Sequence, residues 1–198
     1  GTEGDVALAL AAYGAGSMMA ALALPRILTR IDDRTIMIAG GGLLLVTLAT
    51  IGLVFGQLGP RTFWPVVLVG WLTMGIGYSL CVTPNGRLLK RSSADEDRPA
   101  LFAAQFALSH VCWLVAYPLA GQIGARFGMA PTFLVLAGLA ALGVGLALWL
   151  WPRNDPAKLL HSHPDLPSDH PHLEEHGGSS HQHHFVIDDL HTGWPGKV

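Results

Sequence analysis

The chain has 198 residues, of which 51% are hydrophobic and 13% are charged, and its mean hydropathy is +0.41. Soluble domains carry about 25% charged residues, so this composition excludes a water-soluble globular domain. The formal net charge is −2, and the charges are confined to short loops and to one end of the chain. This distribution leaves no basic face for nucleic acid, so we expect no nucleic-acid partner.

Five long apolar runs fill most of the chain. They cover residues 6–24, 36–55, 64–85, 100–123 and 132–151. A helix of about 20 residues is about 30 Å long, which matches the hydrocarbon core of a bilayer. Barrel strands would alternate polar and apolar residues, and runs such as Leu43 to Val46 do not. The sequence therefore predicts an all-α integral membrane protein in which residues 1–152 form five transmembrane helices.

The basic residues near the ends of these runs are unevenly distributed. Only Arg61 and Arg126 lie on one side of the predicted membrane. The other side holds nine, which are Arg26, Arg30, Arg34, Arg87, Lys90, Arg91, Arg98, Arg153 and Lys158. Because Lys and Arg accumulate on the cytoplasmic side of membrane proteins, we predict an external N-terminal end and a cytoplasmic C-terminal tail, with the protein in the plasma (inner) membrane.

The start of the chain is short and acidic, and it does not resemble a signal peptide. An odd number of helices with an external polar start is typical of a chain that once followed another helix. We therefore expect the chain to be the C-terminal part of a longer protein, with the preceding helices and the lipid bilayer as its partners.

An aromatic row is predicted on the fourth run. Phe106, His110, Trp113 and Tyr117 are spaced by four, three and four residues, which places them on one stripe of a helix. An ionisable side chain within a membrane is costly and often marks a substrate contact or a proton relay. His110 is the best candidate because histidine changes charge near neutral pH. The alternative is a neutral His110 that bonds to a neighbouring helix while the aromatic rings only pack.

Further polar and aromatic residues lie on the first and third runs, whereas the second and fifth runs carry few. Trp71, Tyr78 and Asn85 are seven residues apart and share a helical face, which Tyr13 and Ser17 could join. Together with those on the fourth run, the candidate substrate-binding residues are Tyr13, Ser17, Trp71, Tyr78, Asn85, His110, Trp113 and Tyr117.

Glycines recur throughout the runs and indicate close helix packing, with hinges as the alternative. The positions concerned are Gly14, Gly16, Gly40, Gly41, Gly42, Gly70, Gly75, Gly77, Gly138, Gly143 and Gly145.

After Trp151 the composition changes, and residues 153–198 are predicted to be a disordered, His-rich cytoplasmic tail, because they contain too few apolar residues to offset chain entropy. Three clusters place imidazoles two residues apart, with His176 between them and His191 beyond. The predicted metal ligands are His161, His163, His170, His172, His176, His181, His183 and His184. Imidazole suits Ni, Co and Zn, and the absence of Cys from the tail argues against a thiolate site for Cu(I). The alternative is a solvated spacer.

Two features resemble the major facilitator superfamily. The segment from Ala20 to Arg34 is similar to the short charged cytoplasmic turn between the second and third helices of each half of these transporters. Arg30 and Arg34 keep basic positions of that family motif, whereas Thr29 stands in place of its Asp and Asp32 in place of a Gly.

The order of parts also resembles the closing helices of such a transporter. These parts are a third run with Gly75, Gly77 and Thr83 to Arg87, a charged loop, and a fourth run that opens at Pro99 and holds Pro118. The resemblance implies that the five helices are the eighth to twelfth of twelve, a partial C-terminal half-bundle that lacks the first seven.

The resemblance implies secondary active transport by a permease that moves a small solute or ion by alternating access, with metal-linked efflux as a specific form. The alternative is a membrane-anchored metal buffer or sensor that uses the tail. We expect no enzyme, because the chain lacks a nucleophile elbow, a phosphate loop, a zinc-protease motif and paired catalytic acids.

Overall fold

The structure is a computed structural model that describes residues 2–153, 155 and 158–194. Its elements in chain order are α1 (Glu3–Ile27), α2 (Asp33–Val54), α3 (Pro60–Val82), α4 (Asn85–Arg91), α5 (Arg98–Phe127), α6 (Met129–Leu150), β1 (Lys158–Ser162), α7 (Pro171–His176) and β2 (Ser180–His184). Five helical stretches in the described part are long and apolar enough to cross a membrane, with α3 and α4 counted as one. The prediction of an all-α integral membrane protein with five spanning helices is confirmed.

Local sequence explains where the helices begin and end. Thr2 and Asp5 form a capping box at the start of α1, and the Asp32 side chain accepts a hydrogen bond from the backbone N–H of Thr35 at the start of α2. Pro84 separates α3 from α4, because proline has no N–H for the helical ladder. Gly128 has φ +87°, a conformation that favours glycine, and it separates α5 from α6.

The long helices contact one another in the order α1, α3, α2, α6, α5. α3 lies between α1 and α2, and α6 lies between α2 and α5, which also contacts α4. α1 and α5 are the end members of this order. α5 has no buried residue, so its faces are the most open of the bundle.

Glycines bring α1 and α3 into backbone contact. A Cβ atom added at Gly16 would overlap the carbonyl oxygen of Leu72, and one added at Gly75 would overlap the carbonyl oxygen of Tyr13. Gly40 of α2 and Gly77 of α3 make a similar close approach. Lipid gives no hydrophobic drive between helices, so close van der Waals contact of this kind stabilises the bundle.

Not every glycine in the runs has this role. An added Cβ would find no described atom within 4 Å at Gly14, Gly42, Gly138, Gly143 or Gly145. The packing interpretation therefore holds for the centre of the bundle, around α3, and not for the outer face of α6.

Polar contacts supplement the glycine contacts around α3. The Ser79 hydroxyl donates to the backbone carbonyl of Ser17 on α1, at 3.0 Å. On the other side, the hydroxyls of Thr47 in α2 and Thr73 are 3.1 Å apart. Such hydrogen bonds between helices are worth about 1 kcal/mol each in membranes.

An ion pair joins the ends of α2 and α4. Asp33 is 6% exposed, and one of its carboxylate oxygens accepts a hydrogen bond from Arg87 at 2.8 Å. Its other oxygen is buried and has no hydrogen-bond partner among the residues that the structure describes. The Arg87 guanidinium is therefore the charge that compensates a buried carboxylate.

The tail differs from the disordered segment that its composition predicts. β1 and β2 form an antiparallel hairpin in which His161 lies opposite His181, and α7 lies between them in the chain. Leu173 and Phe185 are buried at 4% and 3% exposure. The physical reason is that backbone pairing and the packing of the His161 and His191 rings onto Phe185 supply contacts that a count of aliphatic residues misses.

The close contact of α1 with α3 leads to a first prediction. Gly16→Ala and Gly75→Ala should each lower the thermal unfolding midpoint in detergent, because overpacking against a backbone carbonyl costs about 1–3 kcal/mol and exceeds the gain in helix propensity. Gly14→Ala is the matched control, since its new methyl group meets no atom and the midpoint should stay equal or rise slightly. A loss at Gly14 as large as at Gly16 would contradict this account.

The Asp33–Arg87 pair leads to a second prediction. Arg87→Ala should destabilise the protein by about 1–3 kcal/mol, because it leaves a buried carboxylate without its partner. On an Asp33→Asn background the same change should cost much less, so a double-mutant cycle by thermal unfolding should show coupling. Lys90→Ala, one turn further along α4, serves as the control. Equal losses on the two backgrounds would mean that the pair does not stabilise the fold.

Candidate functional site

The first candidate site is the aromatic row on α5. The rings of Phe106 and His110 lie 3.9 Å apart between centroids, those of His110 and Trp113 lie 4.9 Å apart, and those of Trp113 and Tyr117 lie 6.0 Å apart. All four side chains are exposed on the open helix α5. The residue spacing thus produces a continuous row of rings, and its exposed face is free to contact a solute or a further helix.

His110 bonds within its own helix. Its Nδ1 lies 2.8 Å from the Phe106 carbonyl oxygen, and a carbonyl only accepts, so Nδ1 carries the hydrogen. In the neutral ring this leaves the Nε2 lone pair for an outside partner. Among the described residues, His110 forms no hydrogen bond to a neighbouring helix.

The candidates on α1, α3 and α4 do not form one group. Tyr13 and Tyr78 face each other across α1 and α3 with ring centroids 6.1 Å apart, and Ser17 bonds to Ser79 beside them. Trp71 instead packs edge-on against Phe133 of α6 at 6.3 Å. Asn85 begins α4, beyond the break at Pro84. The shared face expected for Trp71, Tyr78 and Asn85 is therefore divided among three surroundings.

The second candidate site is a group of imidazoles in the tail. Two sets of four histidines have ligand atoms within 4.8 Å of one another, and they share His161 and His172. We call their union the histidine cluster. It consists of His161, His163, His172, His181, His183 and His191.

Strand geometry explains how the cluster forms. Side chains two residues apart in a strand point to the same face, so His161 and His163 lie on one face of the hairpin. The register places His161 opposite His181, which brings His181 and His183 to that same face. His184 points to the opposite, exposed face and lies outside both sets of four.

Two other predicted ligands have different roles in the described structure. His170 caps α7, because its Nδ1 accepts the backbone N–H of His172 at 3.2 Å. The His176 ring stacks on that of His183, with centroids 4.5 Å apart, but its ligand atoms lie outside the two sets. His191 lies beyond the three sequence clusters and is not a predicted ligand, and the fold brings it to His161.

Hydrogen bonds orient four of the rings in the same way. The Nδ1 atom lies 3.0 Å from the Leu159 carbonyl oxygen in His161, 2.7 Å from that of Gly178 in His181, and 2.9 Å from that of His184 in His183. The Nδ1 of His191 lies 2.7 Å from a carboxylate oxygen of Asp188. These oxygens only accept, so each Nδ1 carries the hydrogen and each neutral ring has its lone pair on Nε2.

Those lone pairs converge inside the cluster. Nε2 of His161 lies 3.0 Å from Nε2 of His191, and neither atom carries a hydrogen in the neutral rings. Nε2 of His163 and of His183 is buried with no hydrogen-bond partner among the described residues. Two facing lone pairs repel, so this arrangement calls for a cation between them. Adjacent nitrogens around tetrahedral Zn are about 3.3 Å apart. The His161–His191 pair is close to this spacing, and the ligand atoms of each set of four lie within 4.8 Å of one another.

The surroundings favour the neutral form of four rings of the cluster. Burial, followed by the charges of neighbouring histidines, lowers the pKa of His161, His163 and His183 below its ordinary value, and the same causes lower the pKa of His172 to about 4. Neutral imidazole is the form that coordinates metals. The Asp188 carboxylate accepts the Nδ1–H of His191, and a carboxylate in this position typically orients a metal-ligating histidine.

The tail contacts the ends of the long helices through Arg91. This last residue of α4 donates to both carboxylate oxygens of Asp155 at 2.8 Å, and its guanidinium lies 5.3 Å from the ring of Trp194. The Arg91 carbonyl oxygen accepts the backbone N–H of Ile187 at 3.1 Å. The indole N–H of Trp151 also donates to Asp155, and the backbone carbonyl of Trp151 accepts from Arg34.

Comparison with known proteins identifies the family. A family model described as Major Facilitator Superfamily matches residues 1–179. No curated protein and no solved structure gives a significant match. The matched range includes all five long helices and the charged turns from which the resemblance was recognised. The chain therefore belongs to the Major Facilitator Superfamily, a family of membrane transporters.

Proposed function

We propose that the chain forms the C-terminal part of a secondary active transporter that moves a small solute or ion across the plasma (inner) membrane by alternating access. Family membership supports this proposal, and the structural observation that carries it is the exposed row of rings on α5. His110, Trp113 and Tyr117 present aromatic faces and a free imidazole nitrogen within a helix long enough to span the bilayer. An anchor helix has no need of such groups, whereas a solute path does.

The sidedness of the proposal follows from the basic residues. The end of the bundle that holds Arg34, Arg87, Arg91 and the tail faces the cytoplasm under the positive-inside rule. The missing partner is the set of helices that precede this chain, which would cover the exposed faces of α1 and α5. The solute would then pass between those helices and the candidates Tyr13, Tyr78 and the α5 row.

A second function is supported by the converging lone pairs of the histidine cluster. It is the binding of Ni, Co or Zn by the tail, with the four-histidine sets as ligands. On the cytoplasmic side, a metal site of this kind would collect the ion before export, which is the metal-linked efflux form of the proposal. If the helices moved no solute, the same site would make the protein a membrane-anchored metal buffer or sensor.

Transport is tested in proteoliposomes that contain the complete protein, of which this chain is the proposed C-terminal part. With radiolabelled nickel, cobalt or zinc as the probe, Trp113→Ala should lower transport about tenfold, the loss of ~1.4 kcal/mol expected for one aromatic contact. If His110 relays protons, His110→Ala should abolish gradient-driven transport and leave solute exchange. Val115→Ala, on the opposite side of α5, is the control. Full retention of driven transport by both α5 variants would reduce the row to packing.

Metal binding is tested by calorimetric titration of the chain in detergent with Ni, Co and Zn salts. His161→Ala and His172→Ala should weaken binding most, because both sets of four include these residues. Asp188→Ala should weaken it roughly 10–100-fold, the usual cost of losing a second-shell partner. His184→Ala is the matched control and should bind as the parent does. Equal effects at His161 and His184 would indicate dispersed binding by a loose chain and would contradict a defined site.

A further inference from the structure

The histidine cluster is built from ligands on both sides of the segment that contacts the helices. His161 belongs to β1, His172 to α7, and His181 and His183 to β2. His191 comes after the segment from Phe185 to Leu190, so a metal shared by His161 and His191 closes this segment into a loop. The closing distance is already short, because the two Nε2 atoms are 3.0 Å apart.

The same segment contacts the bundle at its middle. Phe185 is 3% exposed, and its ring lies 5.2 Å from that of His161 and 5.0 Å from those of His191 and Trp194. Two residues later, the N–H of Ile187 donates to the Arg91 carbonyl at the end of α4. Fixing both ends of this loop lowers its conformational freedom and so favours the contact at Arg91.

Arg91 connects the loop to the ends of three helices. Its guanidinium binds Asp155, which accepts from Trp151 after α6, and the Trp151 carbonyl accepts from Arg34 of α2. One turn earlier on α4, Arg87 compensates the buried Asp33 of α2. The tail segment therefore rests on a network of contacts that joins α2, α4 and α6 at the end of the bundle from which the tail emerges.

We propose that the histidine cluster is a metal-operated clasp: a transition-metal ion bound between His161 and His191 fastens the segment Phe185–His191 to Arg91, and so to the ends of α2, α4 and α6. This inference rests on the metal binding proposed above and adds a regulatory consequence. Metal occupancy and tail docking favour each other, because the metal orders the segment that docks and docking holds His191 in place. The ligand is Ni, Co or Zn, and the regulated element is this end of the transporter.

Thermodynamic reciprocity gives a test that does not touch a ligand. If metal favours docking, then loss of docking must weaken metal binding by the same factor. Arg91→Ala keeps the backbone carbonyl that accepts from Ile187, but it removes the side-chain contacts to Asp155 and Trp194 that hold the tail against α4, so the clasp predicts metal binding weaker by about fivefold or more. Electrostatics alone predicts the opposite sign, because removal of a positive charge near the cluster would tighten the binding of a cation. Arg26→Ala, an exposed charge at the same end of the bundle, is the matched control.

A second measurement uses the unsubstituted chain and covers the case in which Arg91→Ala folds poorly. Hydrogen exchange is followed in detergent with a chelator and with Ni or Zn at about 100 times the dissociation constant, where opening of the bound segment should be about 100-fold rarer. The Ile187 amide should then exchange correspondingly more slowly. In His191→Ala the metal should give no such protection.

The outcomes separate the clasp from metal binding itself. Slower exchange at Ile187 with metal, together with weaker metal binding in Arg91→Ala, supports the clasp. If the metal binds but exchange at Ile187 does not change, or if Arg91→Ala binds as tightly as the parent or tighter, the clasp is overturned while the metal site stands. If titration shows no binding of Ni, Co or Zn to the parent chain, the metal site and the clasp both fall.

Discussion

Close backbone contact between α1 and α3 is the constraint on which the membrane part of this protein depends. In lipid, apolar side chains gain nothing by leaving the solvent for a neighbouring helix, so packing and a few hydrogen bonds must hold the bundle together. Gly16 and Gly75 place each helix against a carbonyl of the other, and the Ser17–Ser79 contact lies within the same interface. With α3 held on one side by α1 and on the other by α2, the bundle keeps α5 open at its edge.

In the proposed function, the openness of α5 matters because of the side chains that the helix presents. A row of rings that includes His110 and Trp113 lies on its exposed surface, where purely lipid-facing helices carry aliphatic side chains. The aliphatic side chains of α6 and the glycines without neighbours on it are typical of such a lipid-facing surface. The contrast between α5 and α6 is consistent with a transport path on one side of the bundle and lipid on the other.

In the C-terminal tail, the constraint is the hydrogen bonding of the histidine rings. Its histidines cannot all donate and accept in pairs, because backbone carbonyls and Asp188 already occupy the Nδ1 hydrogens of His161, His181, His183 and His191. Their remaining nitrogens meet as lone pairs. Arg91 connects the helical bundle to the tail, because its side chain and its backbone carbonyl both contact tail residues. In the proposed clasp, charge and chain closure would link the metal site to a membrane bundle that contributes no ligand to it.

Much of the candidate α5 site could be predicted from the sequence, because neighbours along one helix are fixed by spacing. The division of Trp71, Tyr78 and Asn85 could not, since the partner of each depends on which helix lies beside α3 and on the break at Pro84. In the tail, the imidazoles are two residues apart, which is the side-chain period of a β-strand. This spacing could have indicated the hairpin. The low aliphatic content of the tail predicts disorder instead, because a count of aliphatic residues takes no account of contacts between histidine and aromatic rings.

The sequence by itself determined the membrane environment, the five spanning helices and the row on α5, since hydrophobic length and helical period act locally along the chain. Only the tertiary structure decided which glycines pack, which histidines converge, and that His191 meets His161 while Ile187 meets Arg91. Many of those contacts join residues far apart in the chain, 30 positions in the case of His161 and His191. They follow from strand register and helix order, which no local pattern specifies.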